Sequence, residues 1–159
     1  FSNRQNLGRG WRQYADLVRK YHDVELQPGE DRQAVLNVHI GDTHEAALEG
    51  ARNGHDEFFR FLAPYGRSRS YVDEHGKPWE WGRMPTLEDS MAQGAWYVGT
   101  ADEVAEQIQE LRRDLGLSYV TIFPHFPGML REQAIDQMHR FVHDVVPRLR
   151  QAAPVGASA

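Results

Sequence analysis

The chain has no cysteine. Disulfides, thiolate metal sites and cysteine nucleophiles are therefore excluded, and a reducing cytoplasm is the expected location. No apolar run approaches the roughly 20 residues of a membrane-spanning helix, and no signal-peptide pattern is visible in these residues. Basic charge is in deficit: 18 Lys and Arg against 23 Asp and Glu leave a net charge of −5. Nucleic acid and anionic membranes both recruit basic surfaces, so neither is an expected partner. Also missing are a Gly-x-Gly-x-x-Gly turn, a P-loop and a serine-centred nucleophile elbow. Gly41 and Gly99 read as turn glycines. The first residue is Phe1, and the sequence enters a helical pattern at once, which reads as the interior of a longer chain.

What remains is the material of one ordinary domain: 159 residues, 40% hydrophobic and 26% charged. Trp11, Tyr14, Leu17, Val18 and Tyr21 recur at helical spacing and predict an amphipathic helix over 9–21. Pro28 and Gly29 punctuate the loop after it. Residues 33–40 read as a strand. Asp42 and Glu45 have capping-box spacing, so a helix is expected to start there and to stop at Pro64. Residues 65–94 hold Gly66, Gly76, Pro78, Gly82 and Pro85, with Trp79 and Trp81 interleaved. So long a connection reads either as a surface insertion held by its tryptophans or as an active-site lid, with a short helix after Thr86. Residues 95–99 form a short extended run. Thr100 and Glu103 make a second capping box, and Val104, Ile108, Leu111 and Leu115 mark one helical stripe that ends at Gly116. A second strand is expected over 117–123. A last helix is expected from about Leu130, kinked or shortened by Pro147, and a disordered tail over 151–159.

Strands separated by helices imply parallel pairing and an α/β fold. Only two strands are convincing, and both carry apolar residues on each face. Two strands cannot close a barrel, which takes about 250 residues. The chain thus lacks partners that it is built to have.

Tyr97-Val98-Gly99-Thr100-Ala101-Asp102-Glu103-Val104 and the helix on to Ile108 resemble the C-terminal region of the luciferase-like flavin monooxygenases, the bacterial luciferase superfamily. The run Phe141-Val142-His143-Asp144-Val145-Val146-Pro147-Arg148-Leu149 resembles that family's closing helix. Val38-His39-Ile40-Gly41-Asp42-Thr43 and the following Ala46-Ala47 resemble its penultimate strand and helix start. The resemblance implies the C-terminal portion of a (β/α)8 TIM barrel, with two main parallel strands and flanking helices. It implies FMN, or in some branches coenzyme F420 (a deazaflavin), at the C-terminal mouth of the barrel, and oxidation of a small organic substrate with O2. Most flavin contacts in such enzymes lie on earlier strands, so this chain alone is expected to be inactive. The alternative is a non-catalytic, barrel-derived module that docks or dimerises. In either case the remainder of a barrel, another chain of the family, or a homo-oligomer is the expected partner.

The predicted mouth, residues 39–42 and 124–128, supplies the candidate site. His125 and His39 are the candidate acid–base or hydrogen-bonding groups. Alternation puts Asn37 on the face of His39; Asn37 and Phe126 are the candidate cofactor contacts. Arg67, Arg69 and Arg83, with Lys77, can close over an anionic group if the insertion is a lid. Some family members carry Arg and His on the penultimate strand. Val35 and Asn37 stand at about those places here, which argues against a sulfonate-type substrate. His139 and His143 are four apart on a helix, but Arg140 stands where a zincin glutamate would, so they read as surface histidines and no metal is expected.

Overall fold

Asn3 begins the first helix earlier than the apolar spacing predicts. In the computed structural model, which describes residues 3–27 and 29–151, its side chain accepts a hydrogen bond from the Asn6 amide at 3.0 Å. This N-cap extends helix α1 to Arg4–His22. Strand β1 (Gln33–Ile40) lies where its sequence places it, with Ala34, Leu36, Val38 and Ile40 buried on one face. Helix α2 (His44–Leu62) is capped differently from expectation: the Thr43 side chain, and not Asp42, accepts from the Ala46 amide, at 3.1 Å. Asp42 instead turns to Arg140, whose Nη1 lies 2.6 Å from its carboxylate. At Pro64 the helix gives way to two 3₁₀ turns, Ala63–Tyr65 and Arg67–Ser70.

The expected insertion folds back on α2. Tyr71 and Trp79 are buried with Phe59 in a small core of their own, and Val72 bridges to Pro78. Helix α3 (Leu87–Ala92) starts at a capping box of Thr86 and Asp89. Then come β2 (Trp96–Gly99), α4 (Ala101–Leu115) and β3 (Tyr119–Phe123). The Thr100–Glu103 box forms as predicted, and Gly116 ends α4 with a left-handed φ of 61°, where a side chain is disfavoured. Helix α5 (Arg131–Arg140) widens into a π turn, Phe141–Val145, before α6 (Val146–Gln151). Pro147 has no N–H and its ring crowds the carbonyl four residues earlier, so the wider turn ahead of it relieves the conflict. The expected tail lies outside the described residues beyond Gln151. No helix among the described residues is long and apolar enough to cross a membrane.

The sheet has three parallel strands in the order β2-β1-β3, not two strands. The short extended run expected over 95–99 is the third strand, Trp96–Gly99; four residues are too few to show a period, so the sequence does not mark it as a strand. They pair with Asn37–Ile40, while β3 pairs with Gln33–Asn37. The chain therefore leaves β1 for one edge and returns across it to the other. Right-handed crossovers then put α2 and α4 on opposite faces. One apolar cluster joins β1, Tyr97 and α4 to the π turn. The other joins α2 and Leu87 to Trp96, Val98 and Phe126. Successive barrel staves would follow the order β1-β2-β3, with their helices on one side. The second face is covered only near the strand ends: Val35 is 40% exposed and Tyr119 70%.

If Thr43 is the working cap, Thr43→Ala should cost about 1 kcal/mol, and Asp42→Ala, which removes a surface pair, under about 0.5 kcal/mol. Urea unfolding measures both, and the reverse ranking would return the cap to Asp42.

Candidate functional site

Strand β3 stops pairing at Asn37↔Phe123, but β1 runs on to Ile40. Residues 38–40 thus have no strand beside them on that edge. Beyond β1 the chain turns to α2 on one face. Beyond β3 it enters α5, which leads to the π turn packed on the other face. Where connections diverge in this way, a crevice opens outside the C-terminal strand ends, the usual ligand position in parallel α/β sheets. Gln137 of α5 fills the gap in the ladder. Its Oε1 accepts from the Ile40 amide at 2.7 Å, and its Nε2 donates to the Ile40 carbonyl at 2.9 Å.

A cleft of about 530 Å³ opens beside this clamp, among His39, Gly50, Asn53, Met129, Glu132 and Asp136. His39 is 8% exposed, and its Nδ1 has no hydrogen-bond partner among the described residues. A Cβ on residue 50 would lie 2.4 Å from His39 Nε2, so a glycine in α2 is what lets the ring sit there. Burial holds the imidazole below its ordinary pKa; the Arg140 guanidinium pushes the same way, and Asp136 opposes them. A neutral imidazole can accept a hydrogen bond or exchange a proton. Arg140 lies between Asp42 and Asp136, at 2.6 and 2.7 Å.

The other expected site residues disperse. Asn37 shares the face of His39 and is buried. Its Nδ2 donates to the Ala95 carbonyl at 3.0 Å, while its Oδ1, like Nε1 of Trp96 at the paired position of β2, has no partner among the described residues. Phe126 is turned into the core, stacked on Trp96 with centroids 4.2 Å apart. His125 is exposed and does not line the cleft. Arg67 borders a pocket of about 10 Å³ beside Asn37. Arg69 is exposed, and Arg83 lies 3.7 Å above the Trp79 ring, so these arginines do not converge; Lys77 is exposed as well. His139 and His143 have centroids 5.9 Å apart, and no group of three possible metal ligands occurs among the described residues.

One polar chain was not anticipated. The Tyr71 hydroxyl meets Ser90 Oγ at 2.8 Å, Ser90 Oγ meets His55 Nε2 at 2.8 Å, and His55 Nδ1 meets Asp56 at 2.9 Å. With Asp56 as acceptor, Nδ1 donates and Nε2 accepts from Ser90. These residue types can make a nucleophile, but Ser90 and His55 are fully buried, so the chain pins the insertion to α2. The available sequence signal was a histidine four residues after Ala51 on the apolar stripe of α2. Burial lowers the pKa of His55, against Asp56, which raises it.

Ser90→Ala leaves Nε2 of His55 and the Tyr71 hydroxyl buried without a partner, while Nδ1 keeps Asp56, and should cost about 2–4 kcal/mol; a urea-measured loss under about 0.5 kcal/mol would remove the pinning role. Because His39 and His55 both titrate below 6.5 when folded, the unfolded chain binds more protons once pH falls past that value. Stability is therefore full above about pH 6.5 and declines as pH falls through it. Urea midpoints at about pH 7.5 and 5.5 should differ in that sense, and less so in His39→Gln; equal midpoints in the unsubstituted protein would contradict the assignment.

The sequence matches no protein-family model and no curated relative. Among solved structures, the chain is similar to the oxygenating constituent of 3,6-diketocamphane monooxygenase, a type II Baeyer-Villiger monooxygenase of Pseudomonas putida in complex with FMN. The TM-score is 0.69 at 19% identity, covering 94% of this chain and 41% of that one. It is also similar to a monooxygenase from Streptomyces bottropensis, with TM-score 0.64 at 18% identity, over 91% of this chain and 38% of that one. The chain therefore has the fold of a part of these monooxygenases and spans about two fifths of their length.

Proposed function

We propose that the chain is the C-terminal part of a flavin-dependent monooxygenase that oxidises a small organic substrate with O2. The observation that carries this reading is the fold shared, over nearly the whole chain, with a monooxygenase that holds FMN. The placement of the cleft and His39 at the C-terminal strand ends supports it. In this reading β1 and β3 are neighbouring staves of a (β/α)8 barrel, and α2, the insertion and β2 form the excursion between them. The uncovered Val35 and Tyr119 then face the remaining staves or another chain.

The residues present do not fit a whole FMN. No lysine or arginine lines the cleft, Glu132 and Asp136 do, and Arg140 is already held by two carboxylates. A phosphate finds no counter-charge there. Phe126, the expected flavin contact, is buried and stacked on Trp96 in the core. Flavin is therefore held mainly by residues beyond this chain, and the same holds for F420. The part of this chain is to shape one wall of the substrate site, with His39 accepting a hydrogen bond or exchanging a proton.

Flavin fluorescence titrations decide the matter. The chain alone should show no saturable quenching at micromolar FMN or F420. The protein extended by the residues encoded upstream of Phe1 should bind FMN one to one. Tight binding by the short chain would overturn the placement of the flavin mainly on residues beyond it; an extended protein that takes no flavin would overturn the proposal and favour a docking module.

A further inference from the structure

The charge of the cleft at the end of β1 selects among small molecules. Its lining includes two carboxylates, Glu132 and Asp136, and no lysine or arginine. Asp136 is matched by Arg140 at 2.7 Å. Glu132 stands exposed in the first turn of α5 with no ion-pair or hydrogen-bond partner among the described residues. His39 is more than nine-tenths buried, and its Nδ1 is unpartnered. Buried polar atoms are satisfied in nearly every protein, by the chain, by water or by a ligand. The glycines of α2 keep the wall open: a methyl at Gly50 would strike the His39 ring. Pro127 and Met129 supply an apolar side. The volume, about 530 Å³, is that of a small-molecule site.

An anion entering this space meets a free carboxylate and no unpaired cation, since Arg140 beside it is held by Asp42 and Asp136. A ligand with N–H donors and a positive charge meets acceptors and an unmatched negative charge. We propose that the cleft binds small organic ammonium ions: the ammonium group is taken by Glu132, an N–H is donated to the His39 imidazole, and the carbon body rests against Pro127 and Met129. Joined to the functional reading above, and resting on it in that respect alone, this makes the substrate an amine rather than a sulfonate.

The test uses the chain as it is, labelled for NMR, with butylammonium and butanesulfonate as probes. Butylammonium should shift the His39 ring resonances saturably and bind more weakly as salt is added. Butanesulfonate should leave them in place. Glu132→Gln, on an exposed helical turn, should weaken butylammonium binding about tenfold, and Gly50→Ala should weaken it by intruding on the ring. The inference is overturned if neither probe moves His39, if the sulfonate moves it as strongly as the ammonium, or if Glu132→Gln binds unchanged. Ammonium binding in an extended protein that takes no flavin would sink the monooxygenase reading and leave this one standing.

Discussion

Two hydrogen bonds from one side chain hold the end of the central strand. Beyond Asn37, β1 has no strand on its β3 edge, and the amide of Gln137 takes that place by pairing with both polar groups of Ile40. A backbone carbonyl and amide buried there without partners would cost several kcal/mol. Because a side chain and not a strand completes the ladder, α5 is fixed against β1 while space remains beside it. The cleft, the position of His39 and the closeness of Arg140 to Asp42 all follow from that substitution.

Polar contacts also position the opposite side. The His55, Ser90 and Tyr71 chain joins α2, α3 and the insertion, and the rings of Phe59, Tyr71 and Trp79 pack around it. The two faces of the sheet are thus anchored differently. The face toward α4 is an apolar cluster that needs no specific partners. The face toward α2 carries Asn37, His39 and Trp96, each with a polar atom unmatched within the described residues. Such atoms gather where a fold is adapted to something other than its own stability.

Much of the secondary structure was legible because its causes are local. Thr100 and Glu103 are three apart and cap each other; Gly116 is needed wherever the chain leaves a helix through left-handed backbone. Both long strands fell within two residues of expectation. The errors have distant causes. Asp42 and Thr43 are both good caps, and the choice between them was made by Arg140, 98 positions away in the chain. Strand β2 has four residues and gains its identity only from β1.

The candidate site was legible in part. That His39 ends a strand and shares a face with Asn37 follows from alternation. That His125 is exposed while Phe126 turns inward does not, because a loop imposes no period and Trp96 supplied the stacking partner. The sequence by itself determined the helices, the two longer strands, the parallel α/β class and the acidic balance, since each rests on contacts between near neighbours or on composition. Only the tertiary structure decided the strand order, the partners of Asp42, His55 and Ile40, and the cleft. Those depend on which distant residues compete successfully for the same hydrogen bond or the same buried space.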